Sequence, residues 1–123
     1  MPGYQDELLV LAKDLADRLM PAFETSKTGI PWPRVHLMKG VMPFETNNTC
    51  LAGAGTLLLE FGVLSRLTGD KKYERAARKA LKELWNMKSQ LNLVGTSLDM
   101  EAAKWLAPTA SIGAGADSFY EVT

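Results

Sequence analysis

The sequence has one cysteine and one histidine in 123 residues. Cys50 therefore has no partner for an internal disulfide, and cysteine usage leaves the redox compartment undecided. Its neighbours favour a small buried hydrophobe near a helix start. His36 has no Cys or His at metal-ligand spacing, so it reads as a loop residue rather than part of a metal or nucleophile site. An excess of one charge sign is also missing. Fourteen basic and fourteen acidic residues give a formal charge of zero. That argues against a surface for nucleic acid or anionic membrane, both of which want a basic excess. No apolar run approaches the roughly 20 residues of a membrane span. The opening residues, Met1 to Glu7, lack the basic flank and apolar core of a secretory signal. The Gly-Ala-Gly runs lack the Lys-Ser/Thr pair and preceding strand of a phosphate-binding loop.

What remains is an ordinary globular composition, 46% apolar and 23% charged, long enough for one small domain. Cys50 to Trp85 organises it. The small residues Ala52 to Thr56 open a nearly all-apolar segment, Leu57 to Leu67, interrupted by Glu60. Gly69 ends that segment and Asp70 starts the next, as cap residues do. Tyr73, Ala76, Ala77, Ala80, Leu81, Leu84 and Trp85 then recur at three- and four-residue steps, with charged residues opposite. The spacing predicts two antiparallel helices, 51–68 inside and 71–85 outside. A third helix, 4–20, has the outer pattern, and Pro21 is expected to end or kink it.

Between Glu24 and Thr49 no helical period appears, and three prolines and two glycines interrupt the chain. Val35 and Leu37 suggest a short strand. The apolar Trp32, Val35, Leu37, Val41 and Phe44 predict an ordered loop, of a length usually linked to function. Asn47-Asn48-Thr49 matches an N-glycosylation sequon, a pattern that arises often by chance. Leu91 to Met100 reads as a strand or hairpin, and Glu101 to Trp105 as a turn or short helix. Ser118 with Glu121 matches a capping box, and Asp117 is itself a good N-cap, so a helix is announced that about five residues cannot sustain alone.

Gly53-Ala54-Gly55 and Gly113-Ala114-Gly115 echo each other ahead of the two inner helices. The layout is outer helix, long loop, inner helix, twice over. The fold class expected is all-α: tandem αα-hairpins, with small β-hairpins or loops between helices. Such repeats build solenoids or closed toroids and need neighbours for their apolar faces. The expectation is that residues 1–123 are part of a larger domain, cut at both ends.

Two carboxylates stand out. Glu60 either faces a wet pocket that binds a polar ligand, or pairs with a base such as Arg34. Asp117 is either a reactive carboxylate at a glycine-lined junction or only a cap. Two inner-helix acids suit glycosidase chemistry, which needs an acid and a base across a sugar bond. Trp32, Trp85 and Trp105 are open to sugar stacking or core packing.

The string TCLAGAGTLLLEFGVLSRLTGDKKYE, with IPWPRV upstream and IGAGADSFYE downstream, resembles the glycoside hydrolase family 47 α-1,2-mannosidases. Within them it is similar to the endoplasmic-reticulum degradation-enhancing branch. The resemblance implies part of a seven-hairpin (α/α) barrel. It also implies inverting removal of α-1,2-mannose from mannose-rich N-glycans of misfolded glycoproteins in the lumen of the endoplasmic reticulum, and a bound calcium. Asp117, in Asp-Ser-Phe-Tyr-Glu, falls on a catalytic acidic position. Glu60, in Leu-Glu-Phe, falls on a carboxylate lining the sugar cavity. There are departures. Gly115 stands where processing members carry arginine, and Glu101 to Trp105 replace a Thr-Gly-x-Trp strand. The calcium-coordinating threonine and the other catalytic carboxylates have no counterpart. The chain alone is therefore expected to be inactive, with a non-catalytic glycan-binding fragment or a helical-repeat interaction module as the alternatives.

Overall fold

The computed structural model describes residue 3 and residues 5–123. Five helices and a small sheet alternate along the chain: α1 (Glu7–Glu24), β1 (Asn48–Cys50), α2 (Leu51–Gly55), α3 (Leu58–Thr68), α4 (Lys72–Asn86), β2 (Ser97–Asp99), β3 (Lys104–Ala107) and α5 (Asp117–Val122). The helical hairpin α3–α4 is the one the sequence predicts. Gly69 closes α3 in the left-handed region at φ 75°, which a glycine adopts without strain. An Asp70 carboxylate oxygen then accepts from Lys72 N at 3.0 Å and caps the first turn of α4. Buried Ser65 of α3 accepts from Glu74 N of α4 at 2.9 Å, a tie between the two helices that periodicity does not announce.

Helix α1 differs from expectation at its end. It runs through Pro21 to Glu24. A proline ring removes one N–H and strains the preceding turn. Here tertiary packing outweighs that loss, because Ala22 and Phe23 are buried. The Pro21 carbonyl accepts from both Thr25 N (3.1 Å) and Thr25 Oγ1 (2.6 Å), which closes the helix four residues late. The expected start at Tyr4 lies outside the described residues.

The apolar stretch 51–68 is two helices, not one. A break at Thr56 and Leu57 separates α2 from α3. Its composition would allow a membrane span, but helices of 5 and 11 residues each fall short of the roughly 20 that crossing needs. Nor is α3 buried all round. Phe61, Leu64 and Ser65 are covered, while Leu59 (66% exposed), Val63 (48%) and Leu67 (65%) are open.

Two packed clusters form the core. One joins α1, α3 and α4 through Met20, Phe23, Phe61, Tyr73 and Ala77. The other joins α2, α4, α5 and the sheet through Leu51, Leu84, Leu98, Met100 and Phe119. The six-residue α5 exists because of this second cluster: Phe119 is fully buried in it. Its capping box does not form. The helix starts at Asp117 with Ala116 as N-cap and no side-chain cap bond.

The sheet is antiparallel in the order β1-β2-β3, with Thr49 opposite Leu98 and Leu98 opposite Trp105. Of the stretch expected as a turn or short helix, Glu101 to Trp105, residues 101–103 are a turn, while Lys104 and Trp105 already belong to β3. Trp105 shows why. Its ring covers Gly95, where an added Cβ would lie 2.6 Å from Trp105 Cε3, and its Nε1 donates to Met87 O at 2.8 Å. Val35 and Leu37 form no strand. His36 and Gly40 make a single bridge around a tight turn, and His36 Nδ1 accepts from Met38 N and Lys39 N at 3.2 Å each. The rest of the 25–49 loop is ordered as expected: Thr28 Oγ1 donates to Met100 O (2.7 Å), Trp32 N donates to Ala22 O (3.0 Å), and Ile30 is fully buried.

Candidate functional site

The small-residue run before each inner helix lets backbones approach. A Cβ on Gly55 would meet Phe119 Cδ2 at 2.7 Å and Leu84 Cδ1 at 2.8 Å, so only glycine lets α2 sit between α5 and α4. Ala52 N donates to Gly115 O at 2.9 Å and fastens the start of α2 to the loop before α5. Gly115 itself sits at φ 90°. A side chain would find room, its nearest neighbour being Cys50 Cβ at 3.9 Å, but an L residue is strained at that φ. The glycine that departs from the processing-enzyme pattern is therefore tied to the local backbone.

These contacts hold α5 against α2 and α4, and the end of α5 comes to lie across a cavity from α3. Between them Leu58, Leu59, Gly62 and Val63 of α3 face Glu121 and Val122 of α5 across a cavity of about 330 Å³, with Glu74 and Arg78 of α4 at its side. Asp117 is one helical turn from Glu121 and so shares its face of α5. Glu60 is one turn from Val63 on α3. Both carboxylates are solvent-exposed, and neither lines the cavity directly. Asp117 Oδ1 accepts only from the next backbone amide, Ser118 N, at 2.9 Å. Glu60 makes no ion pair among the described residues, so the pairing with Arg34 is not formed. Both acids thus stand exposed on helices that flank one cleft, and neither is in an ion pair among the described residues.

The other candidates take structural places. Cys50 is exposed, not buried: it is the N-cap of α2, its Sγ accepting from Gly53 N at 3.2 Å. Asn47 is partly buried, and its Nδ2 donates to Asp99 Oδ2 at 2.8 Å. Trp32 and Trp105 pack against the core, while Trp85 is half open with the Lys88 ammonium 4.4 Å from its ring centre. Among the described residues no three His, Cys, Asp or Glu side chains converge as a metal site.

Sequence reasoning missed Asp99. Its Oδ1 accepts from Glu101 N (3.0 Å) and Ala102 N (2.9 Å), closing the β2–β3 turn, while Oδ2 holds Asn47. An Asp followed by a strand turn was the available signal. It also missed the polar joint between α1 and α4. There Asp17 accepts from Lys13 (2.8 Å), Tyr73 Oη and Lys72 (2.9 Å). The Lys13 hydrogen bond, followed by that of Tyr73, holds the Asp17 carboxyl well below the usual carboxylate range. Burial, then the bond to Asp17, pushes the Tyr73 phenol up.

The sequence profile of glycosyl hydrolase family 47 matches residues 2–123. The chain belongs to that family. Among curated relatives it is 52% identical over 119 residues to alpha-mannosidase I MNS5 of Arabidopsis thaliana, covering 97% of this chain and 21% of that protein. It is 49% identical over 114 residues to ER degradation-enhancing alpha-mannosidase-like protein 2 of Homo sapiens, covering 93% and 20%. Family 47 also supplies a solved fold: the alpha-1,2-mannosidase from Trichoderma reesei superposes with a TM-score of 0.81 at 33% identity over 93% of this chain and 24% of that one. The helical hairpins with their small sheet are thus a segment of the family's (α/α) barrel. The chain spans about a fifth of the length of the relatives it matches.

Proposed function

We propose that this chain is the part of a family 47 mannosidase-like protein that supplies one wall of a cleft for mannose-rich N-glycans. In this reading Asp117 acts at the reaction centre and Glu60 holds sugar hydroxyls. The observation that carries the reading is the match of the family profile to residues 2–123, to which two exposed carboxylates on cleft-flanking helices add. The wider role in this reading is trimming or recognising glycans on misfolded glycoproteins in the lumen of the endoplasmic reticulum; relatives named as ER degradation-enhancing alpha-mannosidase-like proteins support its mannosidase and ER-degradation part. Inverting hydrolysis needs a general acid and a separate general base placed to leave room for water. One catalytic carboxylate does not serve as both, so the 123-residue chain alone binds without turnover. The calcium implied by family resemblance would be held by residues that this chain lacks.

The test is to incubate the purified chain with an N-glycan bearing terminal α-1,2-mannose, measuring both binding and released mannose. Binding that Glu60→Gln weakens at least about tenfold, with no mannose released, supports the reading. Sustained release overturns the inactivity. Absence of any glycan binding favours a bare helical-repeat module.

A further inference from the structure

The solvent face of α4 separates charge that the chain as a whole balances. On α1 both mid-helix cations are neutralised at i,i+4 spacing, Lys13 by Asp17 and Arg18 by Asp14. On α4, among the described residues, Lys72 and Arg78 find carboxylates, Lys72 with Asp17 and Asp70 and Arg78 with Glu74. Lys71, Arg75, Lys79 and Lys82 are exposed and in no ion pair among the described residues. They fall three and four residues apart, so they share one stripe of the helix, roughly 17 Å long at 1.5 Å per residue. Neighbouring like charges at that spacing weaken a helix on its own, so the stripe is not there to stabilise α4.

The stripe is also shaped. The aliphatic stem of Lys79 lies over Gly29, where a Cβ would come within 2.7 Å of Lys79 Cε. Gly29 is at φ 87° and carries no side chain, so the loop backbone leaves a seat for that stem. Arg75 and Lys79, with the ion-paired Lys72 and one carboxylate, Glu24, rim a shallow cleft of about 220 Å³ whose wall includes Met20, Phe23 and Ala76. Cations beside an apolar wall suit carboxylates next to an apolar side chain. The stripe is too long for one small anion. The zero net charge of the chain does not suit nucleic acid, and the one exposed aromatic beside the stripe, Trp85 next to Lys82, makes no run of stacking platforms.

We propose that the exposed face of α4 is a docking strip for an acidic polypeptide segment of a partner protein, one that carries an apolar residue among its carboxylates. Complementary charge speeds encounter and selects the partner, and the apolar cleft fixes register. This surface is built from residues other than Glu60 and Asp117 and stands whether or not the glycan reading does.

The probe is a fluorescent peptide of about eight Glu and Asp residues around a central Leu, long enough to span the stripe when extended. Its anisotropy is measured against the full chain at about 50 mM and about 300 mM salt. The expected result is binding at the lower salt that weakens at the higher. Arg75→Gln/Lys79→Gln should reduce affinity at least about tenfold, while Lys13→Gln on α1 changes it less than about twofold. Lys71→Gln/Lys82→Gln, at exposed sites, repeats the measurement if the first variant loses helicity by circular dichroism. Failure to bind at low salt, or equal binding by both double variants, overturns the proposal. So does inorganic polyphosphate binding as tightly as the peptide, or a peptide with Ser for Leu binding undiminished, since the strip would then take any polyanion.

Discussion

Tyr73 on α4 donates its phenol hydrogen to the carboxylate of Asp17 on α1, joining two helices 56 residues apart in sequence. Lys13 and Lys72 reach the same carboxylate. The joint sits at the edge of the cluster in which the Phe61 ring lies 5.8 Å from that of Tyr73.

A pH dependence follows from its sign. The folded Asp17 carboxyl is held below its ordinary value, so its contribution is present above about pH 4 and fades as pH falls through the acid range. The Tyr73 phenol is raised, so its share is present below about pH 10 and fades as pH rises past it. Asp17→Asn should lower stability at pH 7 by about 1 kcal/mol, a modest figure because the group is reached by solvent. It should also flatten the loss between about pH 5 and pH 2. Urea midpoints across pH check both; an unchanged acid limb in the variant would refute the assignment.

Gly55→Ala should destabilise by about 1–3 kcal/mol, because the new methyl overlaps Phe119 and Leu84. Gly62→Ala is the control. It lies mid-helix in α3 with nothing within 4 Å of an added Cβ, and should stabilise by about 0.5–1 kcal/mol. Thermal melts of the two variants should therefore move in opposite directions.

Asp99→Ala removes three acceptor bonds at once, to Asn47, Glu101 and Ala102, and should cost about 1–3 kcal/mol. Asn47→Ala removes only one of them and should cost less. A double-mutant cycle reads the shared bond directly; additive losses would show that Asn47 and Asp99 do not act as a pair.

Glu60→Gln and Asp117→Asn should each stay within about 0.5 kcal/mol of the parent in denaturant unfolding, since neither side chain is buried or ion-paired among the described residues. A large loss from either would mean the acid serves the fold rather than a ligand.

Much of this was legible in the residues. The apolar period of 73–85 and the Gly69–Asp70 punctuation locate the α3–α4 hairpin because local rules govern both. The break at Thr56–Leu57 carries no proline and no turn signal. It arises where α2 is pinned between the Gly115 loop and Phe119, which lie far along the chain. The same distance hid the pairing of β1 with β2, and Pro21 misled because buried Ala22 and Phe23 outweigh a missing N–H. Of the site, the two acids were visible as chemistry in odd places. Their exposure was not, since the period marks 57–67 as apolar all round while the fold covers one side only.

The register of Thr49 against Leu98 spans roughly fifty residues of chain. Loop closure over that length is entropically expensive before any contact rewards it, whereas α3 and α4 meet across a three-residue link. The amides of the β1–β2 ladder should thus gain protection in pulsed hydrogen exchange only after those of the helical pair, and the sheet is the latch that closes last.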